Sequence, residues 1–172
     1  MPTKHSITSS PPQSCHQRNI NGMLPCPSRA AKICMVVFLS LGANLGNREE
    51  TIDKALNLLA EQVGPLIKRS SFFYSKPWGF DSPNDFCNLC AAFKTALSPS
   101  ELLHSTQAIE RALGRQHKSI NGQYCDRTID IDIIRVFDHE KEIFIDTPEL
   151  TIPHPLWHER DFVKVPLEEI MQ

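Results

Sequence analysis

One stretch of eight residues, Arg127–Ile134, limits what this chain can fold into more than any other. Its β-branched residues alternate with polar ones, as in a strand whose side chains point to opposite faces in turn. Asp130 and Asp132 therefore share one face, while the isoleucines at positions 129, 131 and 133 point the other way. The pattern predicts a strand with one apolar face in the core and two acids on the opposite face.

Two carboxylates about 7 Å apart on one strand face are costly to bury beside apolar residues unless a cation neutralises them. Mg²⁺ prefers hard oxygen ligands, and it commonly takes one or two carboxylates together with water and phosphate oxygens. An edge strand whose polar face meets water would show the same alternation. The stretch alone leaves both interpretations open, a magnesium site and a solvated strand face.

The size and charge of the chain argue against several classes of protein. Its 172 residues suffice for one domain with a sizeable core. The net charge of −2 argues against a nucleic-acid-binding surface, and no apolar run approaches the ~20 residues of a membrane span. Six cysteines without a secretory signal before them favour a reduced, cytoplasmic chain over a disulfide scaffold.

The first 32 residues differ in composition from the rest. They are rich in Ser, Pro and Gln, contain no acidic residue, and show neither helical nor strand periodicity. We expect residues 1–32 to be a disordered tail and residues 33–172 to form a single domain. The functional chain is expected to begin at Met35, where a strand opens at once, with Met23 as a second candidate start.

The remaining chain predicts an alternation of strands and helices. Asn47 with Glu50 forms a capping box for the first helix, and Ser98 with Glu101 forms one for the second. Strands are predicted at 33–41, 66–74, 86–97 and 127–134, with a turn at 42–46. A turn at 138–141, a short partner strand at 142–145 and a C-terminal helical segment are predicted after them. The order βαββαβ predicts an α+β, ferredoxin-like antiparallel sheet with helices packed on it.

Local backbone geometry argues against two possible zinc-binding pairs. Cys87 and Cys90 lie in a predicted strand, where residues three apart face opposite ways. His154 and His158 are four apart, but Pro155 between them opposes a continuous helix. The prolines on either side of His154 instead stiffen its backbone and aim its imidazole.

Two further sets of residues are candidates for binding a ligand. Arg115, Arg127, His154 and Arg160 suit phosphate oxygens, since the arginine fork donates bidentately and stays charged. A flat heterocycle could stack on aromatic side chains, with an amide reading its edge; the candidates are Trp78, Phe86, Asn88 and Phe162. No Ser/His/Asp or Cys/His nucleophile stands out, and phosphoryl-type transfer needs metals and positioning rather than a nucleophilic side chain.

Other segments carry a weaker signal. Trp78 and Phe80 lie in a predicted loop, 75–85, where large aromatic residues need cover from a core or a ligand. Gln107 and Glu110 share one face of the second helix, which is consistent with a solvated surface or with a ligand. The polar segment from Arg115 to Asp126 is expected to be a mobile, positively charged loop.

Several short motifs occur in a specific order over residues 35–170. The set resembles the 6-hydroxymethyl-7,8-dihydropterin pyrophosphokinase family of folate biosynthesis. The motifs are Leu39-Ser40-Leu41-Gly42-Ala43-Asn44-Leu45-Gly46-Asn47, Pro77-Trp78-Gly79, Phe86-x-Asn88, Gln107-x-x-Glu110, Gly114-Arg115, Arg127-Thr128-Ile129-Asp130-Ile131-Asp132, Pro153-His154 and Arg160-x-Phe162.

The resemblance implies a catalytic domain that transfers pyrophosphate from ATP to the hydroxymethyl group of the pterin and releases AMP. It implies that Asp130 and Asp132 hold two Mg²⁺ ions, and that Arg115 lies on a loop that closes over the substrates with residues 77–79. The implied pterin site comprises Ser75, Trp78, Phe86, Asn88 and Phe162, and the implied ATP site comprises Gln107, Glu110, Arg127, His154 and Arg160. We expect a cytoplasmic monomer without nucleic-acid or membrane partners.

This chain departs from the family pattern before Arg127. The family often has a Trp-Gly-Pro-type run there, whereas this chain has Tyr124-Cys125-Asp126, and an acid beside a phosphate site is unexpected. His117 stands where an arginine is common, and Pro155 stands where an aromatic residue can occur. A noncatalytic pterin-binding or nucleotide-binding domain and a metal-dependent nucleotidyltransferase are the alternative functions that the motifs leave open.

Overall fold

The computed structural model describes residues 34–115 and 125–172. The predicted tail over residues 1–32 lies outside them. Most of the predicted mobile loop, including His117 and Tyr124, also lies outside the described residues.

The described chain contains eight strands and three helices. The strands are β1 (Met35–Ala43), β2 (Leu66–Arg69), β3 (Phe73–Ser75), β4 (Phe86–Thr95), β5 (Asp130–Asp138), β6 (Lys141–Glu142), β7 (Ile145–Asp146) and β8 (Thr151–Ile152). The helices are α1 (Arg48–Gln62), α2 (Pro99–Ala112) and α3 (Asp161–Met171). None of the helices in this part of the chain is both long and apolar enough to cross a membrane.

The central sheet confirms the ferredoxin-like prediction. Its strand order is β2-β4-β1-β5-β6, β3 also pairs with β4, and every pairing is antiparallel. Helices α1 and α2 pack on one face, and α3 packs on the other. Since α1 and α2 each connect strands that are separated in the sheet by one other strand, the topology is the split βαβ arrangement.

Both predicted helix starts are confirmed. The Asn47 side chain accepts a hydrogen bond from the backbone N–H of Glu50. At α2, the Ser98 hydroxyl accepts from Glu101, whose carboxylate in turn accepts from the Ser98 backbone N–H at 2.8 Å. These caps satisfy backbone donors that have no partner within the helix, so they define where each helix begins.

The sheet buries apolar residues on both faces. On the α1/α2 face, Leu39 and Leu41 of β1 and Ile52 and Leu59 of α1 are fully buried. On the α3 face, a smaller cluster joins strand residues to the helix; it comprises Cys90, Ala92, Ile134, Val163, Leu167 and Ile170. Cys87 and Cys90 belong to different clusters, which confirms that the two thiols face opposite sides of β4.

Two sequence predictions around the sheet were wrong in detail. Gly42 and Ala43 belong to β1 rather than to a turn, because Gly42 pairs with Asn88 of β4 on one side and with Asp130 of β5 on the other. The predicted strand 66–74 is two strands, interrupted at the buried Ser70, whose hydroxyl accepts the Cys90 backbone N–H at 3.0 Å. That side-chain bond replaces a ladder bond and lets the edge strand break.

The predicted acid-bearing strand begins at Asp130 rather than at Arg127. The isoleucines at positions 129, 131 and 133 are buried in the α1/α2 core, as the alternation predicts. The short partner strand predicted at 142–145 is confirmed as β6, which pairs with β5, but its predicted end was wrong because Ile145 belongs to β7, which pairs with β8. Ile143, which follows β6, and Ile145, the first residue of β7, both pack against the core.

Candidate active site

The candidate site lies on the α3 face of the sheet, where three neighbouring strands present polar or small residues. The register aligns Asp130 with Gly42 and Gly42 with Asn88. It also aligns Asp132 with Ser40 in the next row of the same face. The alternation that points the isoleucines of β5 into the core therefore points the two acids into this site.

A slot lined by aromatic side chains, called the aromatic slot, lies above these aligned strand residues. The predicted site residues that line it together are Ser75, Trp78, Phe86, Asn88, Arg127, Asp130, Asp132, Arg160 and Phe162. Sequence reasoning did not assign Ser40, Gly42, Lys76 and Phe80, which line it too. The available signal was the small residues at alternate positions of an apolar strand, Ser40 and Gly42, together with a loop aromatic, Phe80, that needs cover.

The aromatic walls are held by ring and cation contacts. Phe80 meets Phe86 edge-on, with ring centroids 6.2 Å apart. The Arg160 guanidinium lies 4.5 Å from the centroid of the Trp78 ring and 6.0 Å from that of Phe162. Arg160 thus lies between two aromatic groups from different segments, and it brings a positive charge to the slot.

Positive charge also surrounds the first acid. Arg115 donates to both Glu110 and Asp130, and Arg127 forms an ion pair with Asp130 at 3.2 Å. The Arg127 guanidinium also lies 5.4 Å from the Phe86 ring centroid, so it contacts both Asp130 and an aromatic wall of the slot. Glu110 is buried, and its carboxylate accepts the backbone N–H of Ile131 at 2.8 Å.

The second acid has a different environment. Burial, followed by the neighbouring Asp130 charge, raises the pKa of Asp132 to about 7, although Arg160 and Arg127 oppose the shift. The positive charges of Arg160 and Arg127 therefore offset the desolvation of Asp132 only in part. A half-buried carboxylate whose charge is only partly compensated gains free energy from a bound cation. The donor set therefore fits Mg²⁺, which needs only one or two protein carboxylates.

No group of three or more His, Cys, Asp or Glu side chains is placed to hold a metal within residues 34–115 and 125–172. The arrangement thus differs from the closed ligand sets of structural zinc sites.

His154 lies in a second groove that shares Asp132 with the aromatic slot. Its backbone N–H donates a hydrogen bond to the Ile134 carbonyl at 2.9 Å, and its Nδ1 accepts one from the Leu156 backbone N–H at 3.2 Å. Burial, and then the positive charge of Arg160, lowers the pKa of His154. The imidazole is therefore neutral near pH 7, with its proton on Nε2.

The structure separates Gln107 from the other predicted residues. Gln107 lines a further groove between α2 and the segment around β7, together with His104 and Glu149. Glu110 does not lie on a solvated surface but is buried against Arg115, so that alternative is wrong for Glu110. The two residues of the Gln107-x-x-Glu110 motif thus lie at different places: Glu110 contacts Arg115, and Gln107 lines an outer groove.

The fold and the site define a ferredoxin-like α+β domain that presents paired acids beside an aromatic slot. The family model described as 7,8-dihydro-6-hydroxymethylpterin-pyrophosphokinase (HPPK) matches residues 38–172. The chain therefore belongs to the HPPK family.

Relatives bearing the corresponding enzyme name cover most of the chain. A Porphyromonas gingivalis protein named 2-amino-4-hydroxy-6-hydroxymethyldihydropteridine pyrophosphokinase is 47% identical over 135 residues, which are 78% of this chain and 90% of that protein. A Bacillus subtilis protein of the same name is 38% identical over 138 residues, which are 80% of this chain and 78% of that protein.

Solved structures share the fold at lower identity. A crystal structure of a Plasmodium falciparum HPPK-DHPS triple mutant has a TM-score of 0.61 and 16% identity, and it covers 82% of this chain. This chain spans only 41% of that longer protein. At such identity the likeness supports the fold alone.

Proposed function

We propose that this protein catalyses the Mg²⁺-dependent transfer of a pyrophosphoryl group from ATP to the hydroxymethyl group of 6-hydroxymethyl-7,8-dihydropterin, releasing AMP in folate biosynthesis. Membership of the HPPK family and the names of its relatives support the reaction. The observation that carries the proposal is that Asp132 lines both the aromatic slot and the His154 groove. A ring in the slot and a triphosphate in the groove would therefore meet at the acid pair.

The slot suits a planar, polar, bicyclic ring system. Phe86 and Phe162 line it and offer faces for stacking. The amide nitrogen of Asn88 donates to the Phe73 carbonyl at 3.2 Å and to the Ser75 hydroxyl at 3.1 Å. These bonds fix the amide and leave its oxygen to accept a hydrogen bond from the pterin edge, while backbone groups near Ser75 and Trp78 complete the recognition.

The acid pair would hold the metal. We assign two Mg²⁺ ions to Asp130 and Asp132, whose oxygens are the hard ligands that this cation prefers. When bound, the ions neutralise and orient the phosphate oxygens of ATP. Because metal binding requires the ionised carboxylate, the raised pKa of Asp132 makes this binding release a proton near neutral pH.

The cations assigned to ATP surround the same junction. Arg115, Arg127 and Arg160 donate to phosphate oxygens, and the Nε2–H of the neutral His154 does the same from the groove side. Glu110 acts through Arg115, which it holds beside Asp130. Gln107, in the outer groove, is assigned to the nucleoside part of ATP.

The chemistry needs no nucleophilic side chain. The pterin hydroxymethyl oxygen attacks the β-phosphorus, the bond between the β-phosphorus and the oxygen that bridges it to the α-phosphorus breaks, and AMP leaves with that oxygen. The hydroxyl proton passes to solvent. The residues of the site contribute in-line positioning and charge neutralisation, which account for most catalysis in phosphoryl transfer. Closure of the loops bearing Arg115 and Trp78 would exclude water and suppress hydrolysis of ATP.

We also assign the enzyme to the cytoplasm as a monomer. The cysteines at positions 34, 87, 90 and 125 are free thiols, which suits a reducing compartment. Light scattering of the purified protein measures the oligomeric state, and a mass of twice the chain would contradict this assignment.

AMP release tests the function directly. The full chain is incubated with ATP and Mg²⁺, with and without 6-hydroxymethyl-7,8-dihydropterin, and the nucleotides are separated by chromatography. We expect AMP only when the pterin is present, and we expect a chelator to abolish it. Tight pterin binding without AMP would instead support a noncatalytic binding domain, and AMP that survives complete chelation would contradict the metal assignment.

A further inference from the structure

Three segments of the chain meet at the carboxylate of Asp126. One oxygen accepts a hydrogen bond from the Asn44 amide at 2.7 Å, and the other accepts from the Asn84 amide at 2.8 Å. Ser82 adds a third side-chain hydrogen bond, which with those of Asn44 and Asn84 lowers the pKa of Asp126. The acid that was unexpected beside a phosphate site therefore accepts hydrogen bonds from neighbouring loops.

Asn44 extends these contacts to the backbone of Arg127. Its side-chain oxygen accepts the Arg127 N–H at 2.8 Å, and its own backbone N–H donates to the Arg127 carbonyl at 3.2 Å. Asn44 is buried, and both ends of its amide are engaged. The position of Arg127, which reaches Asp130 and Phe86, is thus tied to the same cluster as the loop residues.

The loop joined to this cluster, residues 76–85, forms one wall of the slot and carries Trp78. Its last residue, Asp85, offers its carbonyl to Arg48 at 2.7 Å and its carboxylate to the exposed Lys76 at 2.8 Å. Those bonds hold the loop to α1 and to itself. The contacts made by Asp126 and Asn44 bind the loop to the segment that precedes the acid-bearing strand.

We propose that Asp126 is a positioning residue that holds the 76–85 loop in register with Asn44, so that the aromatic slot is formed before the pterin enters, whereas the Arg127 backbone keeps its own bonds to Asn44. The inference rests on the proposed function, since it assigns a role to a residue beside the pterin site. A preformed slot avoids the entropy cost of ordering the loop on binding, so its effect is expected on pterin affinity rather than on the chemical step.

A carboxylate is required at position 126 because both principal partners are amide donors. It accepts from Asn44 and Asn84 at once, and charge strengthens both bonds. An asparagine there would set one NH₂ group against another and lose at least one bond. Exchanging the two groups, with Asn at 126 and Asp at 84, restores a complementary pair while Asn44 still finds an acceptor.

The test compares Asp126→Asn, Asn84→Asp and the double variant with the wild-type chain. Pterin affinity is measured by calorimetry with 6-hydroxymethyl-7,8-dihydropterin, Mg²⁺ and a non-hydrolysable ATP analogue, and kinetics are followed by AMP release. Asp126→Asn should weaken pterin binding about tenfold while kcat and the KM for ATP change by less than about threefold. The double variant should recover most of the lost affinity.

The matched control is Asp53→Asn, the same chemical change in an exposed ion pair with Arg69 that joins α1 to β2. It should leave pterin affinity unchanged. An unaltered pterin Kd in Asp126→Asn, or a double variant no better than the single variants, would overturn the positioning role. Equal losses for pterin and ATP with a lowered melting temperature would overturn it too, because they indicate a general loss of stability. Wild-type protein that binds pterin but releases no AMP would instead refute the proposed function.

Discussion

The two faces of the central sheet are built from the same strands but have opposite character. On the α1/α2 face, β1 presents Val37, Leu39 and Leu41, all fully buried against the helices. On the other face the same strand presents Ser40 and Gly42 to an open slot. The period-two geometry of a strand lets adjacent residues serve stability and function separately.

The second face is itself divided. Toward one end, β4 and β5 carry Cys90 and Ile134, and α3 covers them. Toward the other end the same strands carry Asn88 and Asp130. The first turn of α3 lies at that end, and its residue Phe162 lines the slot. The helix therefore stabilises half of the face and leaves the other half for substrates.

The largest expected effect comes from removing the acids of the open face. Asp130→Ala and Asp132→Ala should each reduce kcat by about a thousandfold or more, because the metal charge on the phosphates is lost. Pterin affinity should change by less than about threefold, since the ring does not depend on the metals. Steady-state kinetics and calorimetry check the two quantities separately.

A matched control exists on the same strand. Asp138, at the far end of β5, pairs with the exposed His139, and Asp138→Ala should leave turnover unchanged. Near-normal rates in either Asp130→Ala or Asp132→Ala would refute the metal assignment.

The opposite face should respond in stability instead. Leu39→Ala removes a fully buried side chain between β1 and α1, and it should lower the free energy of unfolding by about 3 kcal/mol. Both KM values should remain near wild type for the molecules that stay folded. Urea unfolding measures the change, with Ile67→Ala at an exposed position of β2 as the control. A loss of pterin affinity that exceeds the loss of stability would show that the two faces are not independent.

Residue alternation and capping predicted the fold because both are local. The spacing of Asp130, Ile131 and Asp132 determines which side chains share a face, and Ser98 with Glu101 is sufficient to begin a helix. The break at Ser70 was not predictable, because it depends on a hydrogen bond to Cys90, twenty positions away in the chain.

The candidate site divides in the same way. Residues such as Phe86, Asn88 and Phe162 could be proposed from motifs, and the structure brings them together. The place of Gly42 depends on which strands flank it. The place of Asp126 depends on two amides that are 42 and 82 positions away in the chain. Such contacts depend on strand register and loop packing, which no short pattern encodes.

A smaller effect is expected from the charge of Asp132 in metal-free protein. Its pKa rises from 3.8 to about 7 on folding, so the folded state binds the proton more tightly than the unfolded state does. The free energy of unfolding therefore falls as pH rises from about 4 to 7 and stays low above that range. Asp132→Asn removes this penalty and should stabilise the metal-free protein at pH 8.

Below pH 4 that advantage should disappear, because Asp132 is then protonated in both states. Chemical unfolding in a chelating buffer at several pH values measures the difference between the two chains. Added Mg²⁺ should raise the melting temperature of the wild type more than that of Asp132→Asn. A constant difference across the pH range would contradict the assigned environment of Asp132.

The smallest expected effect concerns the close approach of two strands beneath the slot. A Cβ added at Gly42 would lie 2.8 Å from the side-chain oxygen of Asn88, so Gly42→Ala must displace the amide. The displaced amide would weaken its bonds to Phe73 and Ser75 and lose its aim at the pterin, which should reduce pterin affinity about tenfold. The control Gly46→Ala has a positive φ of 65° but nothing within 4 Å, so it should cost stability without affecting the slot. If both variants bind the pterin as the wild type does, Asn88 does not read the ring, and the open face of the sheet needs a different polar contact.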